Sequence, residues 1–166
     1  MIDGTTLVFR LAPLLLVLGT SSMATIVVFG NITDPRSNLQ YVERIMSMDT
    51  TYRSPRLMWR AITSTRLQRI GFAFIVGLEA AVMVVGWIGT VTLSMNLRAG
   101  EAQWHDAKLW AASSLCLALV VWFLVFEVGG NEWFASWQSE TWKAAKDTPR
   151  INLINIAGLI LLALSR

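Results

Sequence analysis

Residues 70–95 read IGFAFIVGLEAAVMVVGWIGTVTLSM, and this run contains a single ionisable side chain, Glu79. A helix of about 20 residues crosses a hydrocarbon core of about 30 Å, so this stretch is long enough to span a membrane. Three further apolar runs flank it, from Leu11 to Phe29, from Leu109 to Val128 and from Ile151 to Leu164. The four runs predict an all-α, polytopic membrane protein with four transmembrane helices.

The composition agrees with a membrane location. Of the 166 residues, 54% are hydrophobic and 15% are charged, and the mean hydropathy is +0.51. Soluble domains carry about 25% charged residues. We expect one domain covering residues 1–166, with spans at about 7–30, 69–95, 108–128 and 149–166, the first being a retained helix rather than a cleaved signal peptide. The last span is only about 27 Å long, which is barely enough to cross the membrane. The alternative is that this helix lies in the membrane interface.

The residue inventory excludes several kinds of site. One cysteine, Cys116, and one histidine, His105, cannot form a disulfide, a thiolate metal site or a pair of axial haem ligands within one chain. No nucleophile–base pair or phosphate-binding glycine loop is recognisable. We therefore predict no catalytic, cofactor-binding or metal-binding residue, and a non-catalytic protein is favoured over an enzyme. The pI of about 9.5 comes mostly from arginines beside the spans, which indicates anionic lipid headgroups rather than nucleic acid as the partner.

The basic residues are distributed unevenly between the two sides of a four-span topology. The first loop (residues 31–68), the start of the second span, and the third loop (residues 129–150) together hold ten: Arg36, Arg44, Arg53, Arg56, Arg60, Arg66, Arg69, Lys143, Lys146 and Arg150. The opposite side holds four: Arg10, Arg98, Lys108 and Arg166. By the positive-inside rule the first and third loops are expected to be cytoplasmic and both termini periplasmic.

Both long loops are predicted to contain amphipathic helices that lie in the membrane interface, at about 35–66 and 131–146. In the first loop, Asp34-Pro35 has the pattern of a helix N-terminus and Leu39, Val42 and Met46 form an apolar stripe. Ser54-Pro55 predicts a second start. In the third loop, Gly129-Gly130 is expected to end the third span. The loop then continues with three tryptophans typical of an interfacial aromatic belt: Trp133, Trp137 and Trp142.

The same two loops carry motifs that resemble those of a known family. They are Asn31-Ile-Thr-Asp, Ser47-Met-Asp-Thr-Thr and Trp59-Arg-Ala-Ile in the first loop, and Trp133-Phe-Ala-Ser-Trp-Gln-Ser-Glu-Thr-Trp in the third. They resemble a bacterial family of small integral membrane proteins of unknown function with four spans. The resemblance implies a bacterial inner-membrane protein and supplies no activity. Pro35 and Arg44 depart from the pattern, which more often has an aromatic residue and a histidine there.

Glu79 is the candidate residue inside the membrane. A carboxyl about nine residues into a span is costly, and such residues usually have a polar partner or a function. Counting back from Phe29 along the antiparallel first span places Thr20 and Ser21 at the same depth. The structural interpretation is a hydrogen-bonded carboxyl between two helices. The functional alternatives are a proton or cation relay and a contact to another subunit.

In the loops, Asp34 and Asp49 are candidates either for an oxygen-rich cation site or, as we prefer, for capping and turn formation. The arginines are expected to contact lipid headgroups or an acidic partner: Arg36, Arg44, Arg53, Arg56 and Arg60. The three tryptophans of the third loop are expected to anchor it in the interface or contact a partner.

These observations favour a non-catalytic accessory or interaction subunit of an inner-membrane assembly, or a homo-oligomer. Other membrane protein subunits or further copies of the chain are therefore the expected partners, together with membrane lipids. The alternative is a small oligomeric transporter or ion conduit that uses Glu79. It ranks lower because four spans leave little room for a substrate cavity in one chain. An enzyme acting on lipid headgroups ranks third, because the arginines could hold phosphate but no nucleophile is visible.

Overall fold

The computed structural model describes residues 3–166, and within that range it contains helices and loops but no β-strand. The α-helices are α1 Gly4–Thr33, α2 Pro35–Ser47, α3 Thr65–Asn96, α4 Glu101–Leu119 and α5 Thr148–Leu164. Helix α4 continues without a break into a π-helical segment, Val120–Trp133. Two single turns of 3-10 helix, Met58–Arg60 and Ser136–Gln138, lie in the first and third loops. The all-α prediction is confirmed.

Three of the helices are long and apolar enough to cross a membrane. They are α1, α3 and the continuous helix Glu101–Trp133, of 30, 32 and 33 residues. Helix α5 is apolar but has only 17 residues. All three long helices extend past the predicted spans because polar residues continue them; Asp3, for example, caps α1 by accepting a hydrogen bond of 2.7 Å from the Thr6 backbone N–H.

The third span does not end at Gly129-Gly130, contrary to the expectation. The backbone N–H of Phe134 donates to the carbonyl of Gly129 at 3.1 Å, which closes the last wide turn of the π-helical segment. Gly130 instead allows close packing, because a Cβ there would lie 2.5 Å from the Cβ of Ala144. Gly130 therefore lets the third loop pack against the helix, and neither glycine ends the helix.

The second helix of the first loop and the helix of the third loop do not form. After α2, the Ile62 backbone N–H donates to the carbonyl of Met46 at 2.7 Å, which folds the segment back on α2. In the third loop, the hydroxyls of Ser136 and Ser139 accept hydrogen bonds from the backbone N–H groups of Ala144 and Trp142 at 3.0 and 2.9 Å. Serine hydroxyls that bind backbone groups in this way compete with helical hydrogen bonds.

Small residues set the close contacts between the long helices. A Cβ at Gly86 would lie 2.3 Å from the Ser21 hydroxyl on α1, and a Cβ at Gly89 would lie 2.6 Å from the backbone nitrogen of Ala111 on α4. Helix α3 therefore approaches α1 and α4 closely at neighbouring positions, as is usual for helices in membranes. Side chains such as Val17 and Leu115 fill the core beside these contacts.

The guanidinium group of Arg10 closes the end of the bundle opposite the long loops. It is 1% exposed and donates to the backbone oxygens of Leu97, Ala99 and Arg166 at 3.0, 2.7 and 2.7 Å. Its carbon atom also lies 4.8 Å from the ring centroid of Trp104, which is fully buried. One arginine thus joins the start of α1, the loop between α3 and α4, and the residues after α5.

Candidate functional site

The first and third loops pack against each other through three edge-to-face aromatic pairs. Their ring centroids are 5.8, 6.3 and 5.5 Å apart, within the range favoured by aromatic pairs. In each pair one ring comes from each loop: Tyr41 with Trp142, Tyr52 with Trp137, and Trp59 with Trp133. We call the surface formed by these six side chains the loop platform.

Hydrogen bonds between the loops accompany the aromatic pairs. The Tyr41 hydroxyl donates to the carbonyl of Lys143 at 2.6 Å, and burial raises the pKa of this phenol, which keeps it protonated as a donor. The Tyr52 backbone N–H donates to the Gln138 side chain at 3.0 Å. Because these bonds join segments far apart in sequence, they fix the position of one loop on the other.

Arg60 lies between two rings of the platform. Its guanidinium carbon is 5.5 Å from the centroid of Trp59 and 5.0 Å from that of Trp133, within cation–π distance of both. One of its terminal nitrogens also points to the Trp133 carbonyl at 3.5 Å. Arg60 therefore stabilises the pairing of the loops, unlike the other arginines of this face.

The outer surface of the platform is aromatic, and the first loop beside it is basic. Tyr52, Trp59, Trp133 and Trp137 are exposed to between 45% and 75%. Within residues 3–166, Arg44 and Arg150 are the only arginines with a carboxylate within 4 Å, the partners being Asp49 and Asp147. The exposed arginines without such a partner on this side are Arg36, Arg53, Arg56, Arg66 and Arg69.

The two candidate aspartates of the first loop have separate local roles. Asp34 caps α2 by accepting a hydrogen bond from the backbone N–H of Ser37 at 3.3 Å, and hydrogen bonds from Ser37 lower its pKa. Asp49 forms an ion pair with Arg44. In the described part of the chain, no three His, Cys, Asp or Glu side chains are grouped as metal ligands would be.

Glu79 lies beneath the platform and is 2% exposed. Its Oε2 accepts a hydrogen bond of 2.6 Å from the Asn31 amide, at the end of α1. Both residues line a cavity of about 280 Å³, which also reaches Asn38, Tyr41 and Trp122. The carboxyl is therefore held between α1 and α3 at the level where α1 ends.

A model of the DUF2165 family, described as predicted small integral membrane proteins, matches residues 9–165. The chain belongs to this family. The match covers both loops and all four apolar runs, so the predicted membership of a family of small integral membrane proteins is confirmed. Neither a curated protein nor a solved structure shows significant similarity to it.

Thr20 and Ser21 do not lie beside Glu79 in this DUF2165 protein. The Thr20 hydroxyl donates to the Asn155 side chain on α5 at 3.0 Å, and the Ser21 hydroxyl is 3.5 Å from that of Thr90. The prediction that Thr20 and Ser21 lie at the depth of Glu79 was wrong, because the first turns of α3 extend past the end of α1. They pack against α2 instead, where a Cβ at Gly71 would lie 3.2 Å from the sulfur of Met46.

Several polar residues that organise this DUF2165 protein were not singled out from the sequence. In the sequence Asn31 stands out only as part of a motif, although it is the partner of Glu79. Arg10 stands out only as a basic residue beside the first span. The rings of the platform pair in reverse order along the two loops, as expected for segments that run antiparallel, and only the fold shows this pairing.

Glu127 has partners of its own and is separate from the Glu79 cavity. Its Oε2 accepts hydrogen bonds from the Asn152 amide at 3.0 Å and from the Thr148 hydroxyl at 3.3 Å. These contacts attach the first turns of α5 to the π-helical segment. The carboxyl groups of Glu79 and Glu127 thus each hold a helix pair together.

Proposed function

We propose that this DUF2165 protein is a non-catalytic membrane protein that docks on another protein in the same membrane through its loop platform. The observation that carries the proposal is the set of three aromatic pairs joining the loops while leaving Tyr52, Trp59, Trp133 and Trp137 exposed. A surface ordered before binding loses little conformational entropy on association. Tryptophan, tyrosine and arginine are also the residues most enriched in the energetic centres of protein interfaces.

The charge of the platform defines the expected partner. Arg53 and Arg56 lie between Tyr52 and Trp59 in the sequence, are exposed and have no carboxylate within 4 Å in the part of the chain that the structure describes, so an acidic surface on the partner would be complementary. A second copy of the same chain would present the same excess of positive charge, which favours a different membrane protein. Anionic lipid headgroups have the same complementarity and are the competing outcome of the test below.

Reversing charge at the platform tests this function. In Arg53→Glu/Arg56→Glu, we expect the loss of a defined protein cross-linked in the membrane before solubilisation in mild detergent, measured by mass spectrometry. The matched control, Arg98→Glu at the opposite end of the bundle, should leave that partner bound. Recovery of the wild-type chain with lipid alone, or equal recovery of the partner with both variants, would overturn the proposal.

We further propose that α5 is a fourth span. It is about 26 Å long at 1.5 Å per residue, close to the thickness of the hydrocarbon core. Two contacts support this assignment. Thr148, at its start, bonds Glu127 at the loop end of the bundle, and Ser165, just past its end, accepts a hydrogen bond from Trp104 beside the loop between α3 and α4.

We infer an orientation in a bacterial inner membrane with the platform in the cytoplasm and both termini in the periplasm, because most basic residues lie at the platform end. In a Cys116→Ser background, we expect an impermeant thiol reagent added to spheroplasts to label Gln103→Cys and to leave Thr63→Cys unlabelled until the cells are lysed. Labelling of Thr63→Cys in intact spheroplasts would reverse the orientation.

An ion conduit through Glu79 is less well supported than docking. The cavity at Glu79 favours a conduit, because two polar side chains, Asn31 and Asn38, line this cavity beside the carboxyl. Further along the helices, however, Ala24 and Val82 are fully buried and pack together with Ala118. A path across the membrane would therefore require a second copy of the chain.

A further inference from the structure

Two adjoining cavities beneath the loop platform form an elongated pocket with one apolar and one polar end. They have volumes of about 230 and 280 Å³ and share four lining residues, Tyr41, Val42, Ile75 and Phe126. The apolar end is lined by side chains of α2, α3 and the π-helical segment. The polar end reaches Glu79. Together the two cavities exceed about 300 Å³, the lower limit of ordinary small-molecule sites.

The carboxyl of Glu79 is only half satisfied by the protein. Asn31 donates to Oε2, whereas Oε1 has no hydrogen-bond partner within residues 3–166. No lysine, arginine or histidine lines either cavity. The described lining around Glu79 holds the amides of Asn31 and Asn38 and the Tyr41 phenol but no positive charge, and a buried carboxylate is costly unless a cation or a further donor reaches it.

We propose that this pocket binds a lipophilic amine, that is, an apolar molecule with a single ammonium head. The ammonium would donate to the free Oε1 of Glu79 and supply the missing positive charge. Phe72, Trp122 and Phe126 line the same end, and aromatic faces attract such cations. The apolar body extends toward Ile45 and Phe74 in the adjoining cavity. This inference is independent of docking, which uses the outer surface of the platform.

Dodecylamine, dodecanol and dodecanoate have the same chain length and differ in the charge of the head group. Comparing them tests whether binding requires a positive charge. The purified full chain in detergent is labelled with a dodecylamine that carries a diazirine near its methyl end, and the modified peptides are mapped by mass spectrometry. We expect saturable labelling of α2, α3 or the π-helical segment. Unlabelled dodecylamine should displace the probe at concentrations about tenfold or more below those needed for dodecanol or dodecanoate, the ratio expected for one buried charge pair.

Glu79→Gln keeps the size of the side chain and an acceptor for Asn31, so the variant is expected to fold. It should weaken amine binding by about tenfold or more. Glu127→Gln, which changes a carboxyl outside the pocket, should bind as the wild type does. A melting curve for each variant confirms folding. Equal displacement by the three head groups, the absence of saturable labelling, or unchanged binding in folded Glu79→Gln would each overturn the proposal.

Discussion

Replacement of Arg10 by alanine is expected to lower the free energy of unfolding by about 3 kcal/mol, because a charge-assisted hydrogen bond to a buried group contributes about 1.5–3 kcal/mol and Arg10 makes three. The backbone oxygens of Leu97, Ala99 and Arg166 would each lose their donor. The Trp104 ring would also lose the cation above it. The measurement is denaturant unfolding of the detergent-solubilised chain, followed by tryptophan fluorescence.

Arg98→Ala is the matched control for this experiment. Arg98 lies in the same loop region as two of the acceptors, but it is exposed, so its removal should change stability little. Arg10→Lys should be intermediate, since an ammonium keeps the charge but cannot match the planar fork of a guanidinium. Equal stability of Arg10→Ala and Arg98→Ala would show that Arg10 does not hold the end of the bundle together.

Gly89→Ala is expected to destabilise the protein by about 1–3 kcal/mol, the usual cost of inserting a methyl group into a packed interface. The new Cβ would lie 2.6 and 2.7 Å from the backbone nitrogen and Cα of Ala111. Backbone atoms cannot rotate away as a side-chain end can, so α3 and α4 must move apart. The same unfolding assay measures the effect.

Gly77→Ala is the control on the same helix. A Cβ at Gly77 has no atom within 4 Å, so alanine adds helix propensity without a clash. The two substitutions are chemically identical, but Gly89→Ala should destabilise the protein whereas Gly77→Ala should be neutral or stabilising. If Gly89→Ala also stabilised the protein, α3 and α4 would not approach each other as closely at Gly89 as described.

The helices in the apolar runs could be predicted from the sequence, because a long uninterrupted apolar run predicts a helix. Their relative depth could not. Counting from the ends of the runs paired Glu79 with Thr20 and Ser21, whereas Asn31 is the partner. The error arose because α3 extends past the end of α1 to pack against α2, and run lengths contain no information about such an offset.

The structure of the loops depends on contacts between distant segments, and local patterns predicted it less well. The start of α2 followed from Asp34-Pro35, a local capping signal. The segment after Ser54-Pro55 has an equally suitable apolar face, yet it forms only one short turn because it is held to α2 and to the third loop. Likewise, Arg60 resembles its neighbouring arginines in sequence, and only the fold places it between Trp59 and Trp133.

Photo-cross-linking in the intact membrane tests the docking function most directly. A benzophenone-bearing phenylalanine analogue replaces Trp137 on the platform or, as control, Trp110 on α4; these side chains are exposed to 52% and 45%. We expect a discrete protein adduct from position 137 that Arg53→Glu/Arg56→Glu abolishes, and only lipid adducts from position 110. Lipid adducts alone from position 137, or the same protein adduct from both positions, would contradict docking through the loop platform.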